Sequence, residues 1–180
     1  LFLASGDILY NNIVADANTF AADGNATFGT AAVKIDAGGD ITGNGTITAT
    51  SDTSLNVDID PGNVTINADI TATGDVFIIA QDDVTVAAGV TITADSDGNW
   101  GNLSITADND GDNVGDLVAN NGSLLTGNGV VLSGENVTVD VVTATGNKGI
   151  FGGIPGNVTI NAVADATTNG DVTAQGDGNA

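Results

Sequence analysis

Seven residues recur verbatim in this chain. GNVTINA occupies 62–68 and again 156–162, each time after a proline, Pro61 and Pro155. Verbatim recurrence in a chain of 180 residues marks internal repetition, and repetition decides the fold before any local reading does. A looser phrase surrounds the copies: Gly or an acid, then Asp or Asn, then an aliphatic residue, often followed by Thr. It reads GDI at 6–8, GDI at 39–41, GNV at 62–64, DDV at 82–84, GDL at 115–117, ENV at 135–137 and GNV at 156–158. The starts are spaced by 33, 23, 20, 33, 20 and 21 residues.

Within one step the apolar residues alternate. The step beginning at 62 offers Val64 and Ile66, then Ile70 and Ala72, then Val76 and Ile78, with Gly, Asn and Asp between the pairs. Apolar residues at i and i+2 predict a strand with one face buried, and the breaks predict turns. Each step therefore reads as three short strands and three corners. The first predicted column holds Ile41, Val64 and Ile66, Val84 and Val86, Leu117, Val137 and Val139, and Val158 and Ile160. The second holds Ile47 and Ala49, Ile70 and Ala72, Ile92 and Ala94, Val142 and Ala144, and Ala164 and Ala166. The third holds Leu55 and Val57, Val76 and Ile78, Leu103 and Ile105, Val130 and Leu132, and Ile150. No single coil buries its own apolar face, whereas stacked coils bury it at about 4.8 Å per step. The expected fold is all-β: a parallel β-helix (β-solenoid) of about seven coils of 20–33 residues, three short strands per coil, forming one domain over 1–180.

The phrase also predicts a corner column of Asp7, Asp40, Asn63, Asp83, Asp116, Asn136 and Asn157, whose side chains hydrogen-bond along the stack. Glycine before several of them is expected to supply a positive φ for the bend. The two long coils, 6–38 and 82–114, are expected to place their excess in loops near 17–32 and 95–101. The second loop carries the single tryptophan, Trp100.

Composition narrows function by exclusion. The net charge is −21, with Lys34 and Lys148 as the only cations and Glu135 as the only glutamate. Such a surface repels phosphate backbones and anionic lipid, so nucleic acid is not an expected partner. No apolar run is long enough to span a membrane. Without Cys there is no disulfide or thiolate ligand. Without His or Arg, the base that polysaccharide lyase chemistry needs has no source beyond the two lysines, and the surplus of Asp makes any carboxylate pair uninformative for glycoside hydrolysis. The expectation is a protein that is not an enzyme and requires no cofactor. The segment 1–9 has no basic start and does not read as a signal peptide.

The G-[DN]-[VIL]-T-[IV] strands, Gly62 to Ile66 and Gly156 to Ile160, with the TAT and TGN turns that follow, resemble the repeats of filamentous-haemagglutinin-like exoproteins and autotransporter passengers of bacterial surfaces. That resemblance spans nearly the whole chain. It implies a secreted, cell-surface fibre serving adhesion and surface architecture, and it supplies no catalytic residues. A rod of seven coils would be about 34 Å long, and open coil ends recruit further strands, so end-to-end self-association or continuation in a longer solenoid is expected. A host, cell-surface or glycan ligand is the other partner class implied.

Two binding chemistries stand beside the structural reading. Asp108, Asp110 and Asp112, in DNDGDN, alternate oxygen ligands around a glycine, and Asp95 and Asp97 form a shorter version in DSDG. Hard cations such as calcium suit clustered carboxylates, although Ala119 stands where an EF-hand requires glutamate. Thr48 and Thr50, Thr71 and Thr73, and Thr143 and Thr145 are Thr-x-Thr pairs of a kind that orders water at ice-like spacing. In the sequence, Asp95 and Asp165 interrupt the row, and the coil at 115–134 offers no matching pair. Carbohydrate is a third ligand class for such a face. Asn-x-Ser/Thr sequons lie at Asn25, Asn44, Asn63, Asn102, Asn121, Asn136 and Asn157, several of them produced by the corner phrase itself.

Overall fold

The computed structural model of the protein describes residues 2–15, 33–50, 53–57, 62–98, 101–146 and 155–175. Among these every regular element is a strand, so no helix crosses a membrane. The strands run, in chain order, β1 (Phe2–Ala4), β2 (Ile8–Tyr10), β3 (Ile13–Ala15), β4 (Val33–Ala37), β5 (Ile41–Gly43), β6 (Ile47–Ala49) and β7 (Thr53–Val57). They continue as β8 (Val64–Ile66), β9 (Ile70–Ala72), β10 (Val76–Ile79), β11 (Val84–Val86), β12 (Thr91–Thr93), β13 (Leu103–Thr106) and β14 (Leu117–Ala119). The last are β15 (Leu124–Gly127), β16 (Val130–Gly134), β17 (Val137–Val139), β18 (Val141–Ala144), β19 (Val158–Ala162), β20 (Ala166–Thr168) and β21 (Val172–Ala174).

Every third strand belongs to the same sheet. Sheet A is β1-β4-β7-β10-β13-β16-β19, sheet B is β2-β5-β8-β11-β14-β17-β20, and sheet C is β3-β6-β9-β12-β15-β18-β21. Neighbours in each sheet are parallel. The chain thus visits A, B and C in fixed order seven times, and each pass adds one strand to every sheet. Parallel pairing needs a connection that returns to the same end of the sheet, and here two other strands provide it.

Alternation sorts the side chains. In sheet C the inward residues Ile13, Ile47, Ile70, Ile92, Leu125, Val142 and Val172 stand one above another in register. Sheet A stacks Ile78, Ile105, Leu132 and Ile160 in the same way. The core is almost wholly Ile, Val, Leu and Ala, with Ile41, Ile66, Leu103 and Leu117 among its fully buried side chains. β-branched residues suit this geometry because their restricted χ1 packs well on a pleated surface.

The corner before sheet B carries the predicted column as a backbone–side-chain ladder. Asp40 N–H donates to Asp7 Oδ1 at 3.1 Å, and Asn63 N–H to Asp40 Oδ1 at 2.9 Å. Asp83 N–H donates to Asn63 Oδ1 at 3.0 Å, and Asp116 N–H to Asp83 Oδ1 at 2.8 Å. Asn136 N–H reaches Asp116 Oδ1 at 3.3 Å, and Asp165 N–H reaches Asn136 Oδ1 at 3.3 Å. Each rung bonds the N–H of the next pass, so the column is a structural seam. The asparagines fall after Asp7–Asp40 and after Asp83–Asp116, which limits runs of like charge to two.

The final rung corrects the sequence reading. The ladder steps are 33, 23, 20, 33, 20 and then 29 residues, with Asp165 as the last member in place of Asn157. Asn157 precedes β19 instead, and its carbonyl accepts Val130 N–H in sheet A. Val158 and Ile160 therefore pair with Val130 and Leu132, in the third predicted column and not the first. Ala166 pairs with Val137 in sheet B, so it leaves the second column. Ile150 lies outside the described residues. The two copies of GNVTINA consequently sit in different sheets, β8 in B and β19 in A.

The corner glycines also act otherwise than expected. Positive φ occurs at Gly89, Gly98, Gly111, Gly122 and Gly146, and at Asp95, Asp108 and Asn113, but not at Gly6, Gly39 or Gly115. Close approach explains two of these corners: a Cβ on Gly39 would lie 2.3 Å from Asp7 Oδ1, and one on Gly115 2.6 Å from Asp108 N. A third glycine does the same inside the core. Tyr10 is buried over Gly43, where a Cβ would come within 2.2 Å of the phenol oxygen. The Tyr10 hydroxyl finds no hydrogen-bond partner among the described residues, and burial pushes its ionisation far above the ordinary tyrosine range.

Asn63→Ala removes one rung and should cost about 1 kcal/mol, whereas Asp83→Asn keeps the acceptor oxygen, deletes a charge beside Asp116 and should raise Tm, more so at low salt. Thermal melts in two salt concentrations read both effects. For Tyr10, the folded state holds the neutral phenol, so its contribution is intact below about pH 10 and is lost as pH rises beyond it. Tyr10→Phe should abolish that alkaline loss and raise Tm at neutral pH, and Gly43→Ala should lower Tm. Tyrosinate absorbance tracks the titration directly, because Tyr10 is the sole tyrosine.

Candidate functional site

The loop between β13 and β14 is pinned at its base. Asp108 N–H donates to Asp82 O at 3.1 Å and Asn109 N–H to Ala80 O at 3.2 Å, both in the preceding pass. Asp108, Gly111 and Asn113 then take left-handed φ of 54°, 74° and 65°, residue types that tolerate it best. Asp108 Oδ1 accepts Asn113 N–H at 3.1 Å and Asp112 Oδ1 accepts Val114 N–H at 2.8 Å, so short-range side-chain bonds hold the turn. Gly115 closes the neck against Asp108, and Asp116 rejoins the corner ladder.

This fold of the loop brings carboxylate oxygens of Asp108, Asp110 and Asp112 within 4.8 Å of one another. Asp108 is half-buried, and the other two are exposed. Three carboxylates so close repel one another, and a hard divalent cation with oxygen ligands would relieve that repulsion. The arrangement offers hard oxygen ligands and no soft one, which suits a hard cation.

Asp95 and Asp97 do not join the triad. They belong to the turn after β12, where Asp95 is buried with φ 60°, its N–H donating to Gly74 O at 3.3 Å and its carbonyl accepting Gly98 N–H at 3.1 Å. Asp97 is exposed, and the turn lines a shallow depression with Thr145 and Gly146. The excess length of the 82–114 coil is thus divided between two corners. One excursion lies at the 95–101 position expected from the sequence, described as far as Gly98 and again from Gly101. The other is the aspartate loop itself. The 17–32 loop and Trp100 lie outside the described residues.

The outward threonines fall into a better-formed row than their sequence spacing indicates. Thr48, Thr71, Thr93, Thr126, Thr143 and Thr173 are successive register partners across sheet C. The pass containing 115–134 is not a gap, because β15 supplies Thr126. Asp165 does not interrupt the row, because it is a rung of the sheet B corner. Asp95 lies one alternate position beyond Thr93 and so flanks the row. The signal for Thr126 was its place after Leu125 in LLTG, masked by the glycine that replaces the usual alanine.

Several sequon asparagines are committed to corner bonds. Asn63 and Asn136 Nδ2 donate to Asp40 and Asp116 at 3.2 and 2.8 Å, and Asn157 Nδ2 donates to Thr159 Oγ1 at 3.0 Å. These side chains read as architecture.

No family model, curated protein or solved structure matches this chain. A calcium ion seated on the triad stabilises the folded state in proportion to ln(1 + [Ca²⁺]/Kd). The expected result is a higher Tm in millimolar calcium than in chelator, with the difference abolished by Asp110→Asn together with Asp112→Asn. Superimposable melts of the unaltered chain would remove the triad as a metal site.

Proposed function

We propose that the chain is a non-enzymatic segment of a parallel β-helix, a structural and adhesive length of a secreted or cell-surface filament. The observation that carries this reading is the pass geometry: each turn of the chain adds one strand to each of three parallel sheets, and the buried faces so formed are almost wholly Ile, Val, Leu and Ala. Such a rod is mechanical. Its ladders run along the axis, and the aliphatic columns stack along the same direction, so stiffness accrues with every pass.

The outer passes support continuation. At one end the inward-facing Phe2 is 49% exposed, and at the other Val172 is 42% exposed, although their register partners Ile35 and Val142 are fully buried. Further passes, from the same chain or from another copy stacked end to end, would cover these residues and pair the open edges of β1, β2 and β3 or of β19, β20 and β21. The resemblance to filamentous-haemagglutinin-like and autotransporter-passenger repeats supports the same extracellular role. The acidic surface favours solubility and disfavours nucleic acid.

A second reading, a cation-binding module on the same scaffold, rests on the Asp108–Asp110–Asp112 cluster. The two differ in what a metal does. For the structural reading, negative-stain electron microscopy of purified material should show rods whose length grows with protein concentration or with added flanking passes. Dispersed particles of constant size under all these conditions would overturn it.

A further inference from the structure

The threonine row on sheet C is continuous, which the outward row of sheet B is not. Its six residues are consecutive register partners with no interruption, and parallel strands place them about 4.8 Å apart. None of the six hydroxyls makes a side-chain hydrogen bond with a described residue, whereas Thr50 and Thr145, on the flank, donate to Ala15 O and Gly127 O. The row carries no charge in a chain of net −21. The corresponding outward row of sheet B, Thr42, Thr65, Thr85, Val118, Thr138 and Thr167, is broken by Val118 and runs beside the aspartate ladder.

An evenly spaced neutral row of hydroxyls and methyls suits a partner that is itself neutral and periodic. A second copy is a poor fit: five steps of about 4.8 Å and a strand width give an area of about 300 Å², well short of the ~800 Å² per partner of a stable protein interface. A sugar chain would meet no aromatic ring, since the outward positions of β6, β9, β12, β15, β18 and β21 hold none. Ordered water has both required properties. Threonine hydroxyls donate to and accept from it, and restricted χ1 keeps the row pre-organised, which lowers the entropy lost on contact.

We propose that this face of sheet C binds ice, with Thr71, Thr93, Thr126 and Thr143 as its centre. The test uses the purified chain with ice itself as the probe, measuring crystal shape and recrystallisation at micromolar protein. The unaltered chain should facet crystals and slow recrystallisation. Thr93→Lys with Thr126→Lys should raise the concentration needed by about tenfold or more, while Thr65→Lys with Thr85→Lys, on sheet B, should leave it unchanged. Circular dichroism melts accompany each variant, and if the lysine pair melts early, Thr93→Asn with Thr126→Asn carries the same expectation. Crystals and recrystallisation identical to buffer alone would overturn the proposal. Equal loss in both sheets, or retention by an insoluble neutral glucan with no effect on ice, would overturn it as well.

Discussion

The structure depends on hydrogen bonds that run between passes. Among the described residues no strand exceeds five residues, and none pairs with its neighbour in sequence. Ile41, Val64 and Val84 are held because each stands in register on the same position of the preceding turn, Ile8, Ile41 and Val64 in order. The stability of any pass is therefore largely its interface with the passes on either side. This is also why, among the described strands, β1, β20 and β21 of the outer passes are exposed throughout.

The same constraint explains how charge is tolerated. A corner residue must offer an oxygen to the N–H of the next pass, and Asp and Asn both do so with a short side chain. The price is a line of carboxylates, softened by Asn63 and Asn136 and by the exposure of Asp7, Asp40, Asp83 and Asp165 to solvent. Where the chain makes a longer excursion, between β13 and β14, the ladder continues unbroken through Asp83 and Asp116 while the loop closes at Gly115. Insertions leave the stack intact because the seam is bonded between rungs whatever the number of residues between them.

Much of this was legible in the chain. The alternation of Val64, Ile66, Ile70 and Ala72 announces strands, and the spacing of the corner phrase from Asp7 to Asn136 equals the ladder spacing rung for rung. The triad at Asp108, Asp110 and Asp112 was legible because the residues are close in sequence and share one turn. Asp165 was not, since alanine follows it where the other passes place an aliphatic side chain. The continuity of the threonine row was also hidden, because Thr126 is preceded by two leucines and followed by glycine, and only pairing with Thr93 and Thr143 reveals its place.

GNVTINA marks the boundary between the two kinds of information. By itself the sequence determines that this phrase is a short strand entered through an Asn corner, with Val and Ile inward and Thr outward. That follows from local alternation and turn chemistry, which are the same wherever the phrase occurs. Tertiary structure alone decides which sheet receives it, β8 in one and β19 in another. The physical reason is that a strand with one inward face satisfies any of the three sheets equally well. Its position is chosen by inter-pass hydrogen bonds and by the length of chain that precedes it. A step of 29 residues in place of 21 moves the second copy from sheet B to sheet A while changing nothing in its own seven residues.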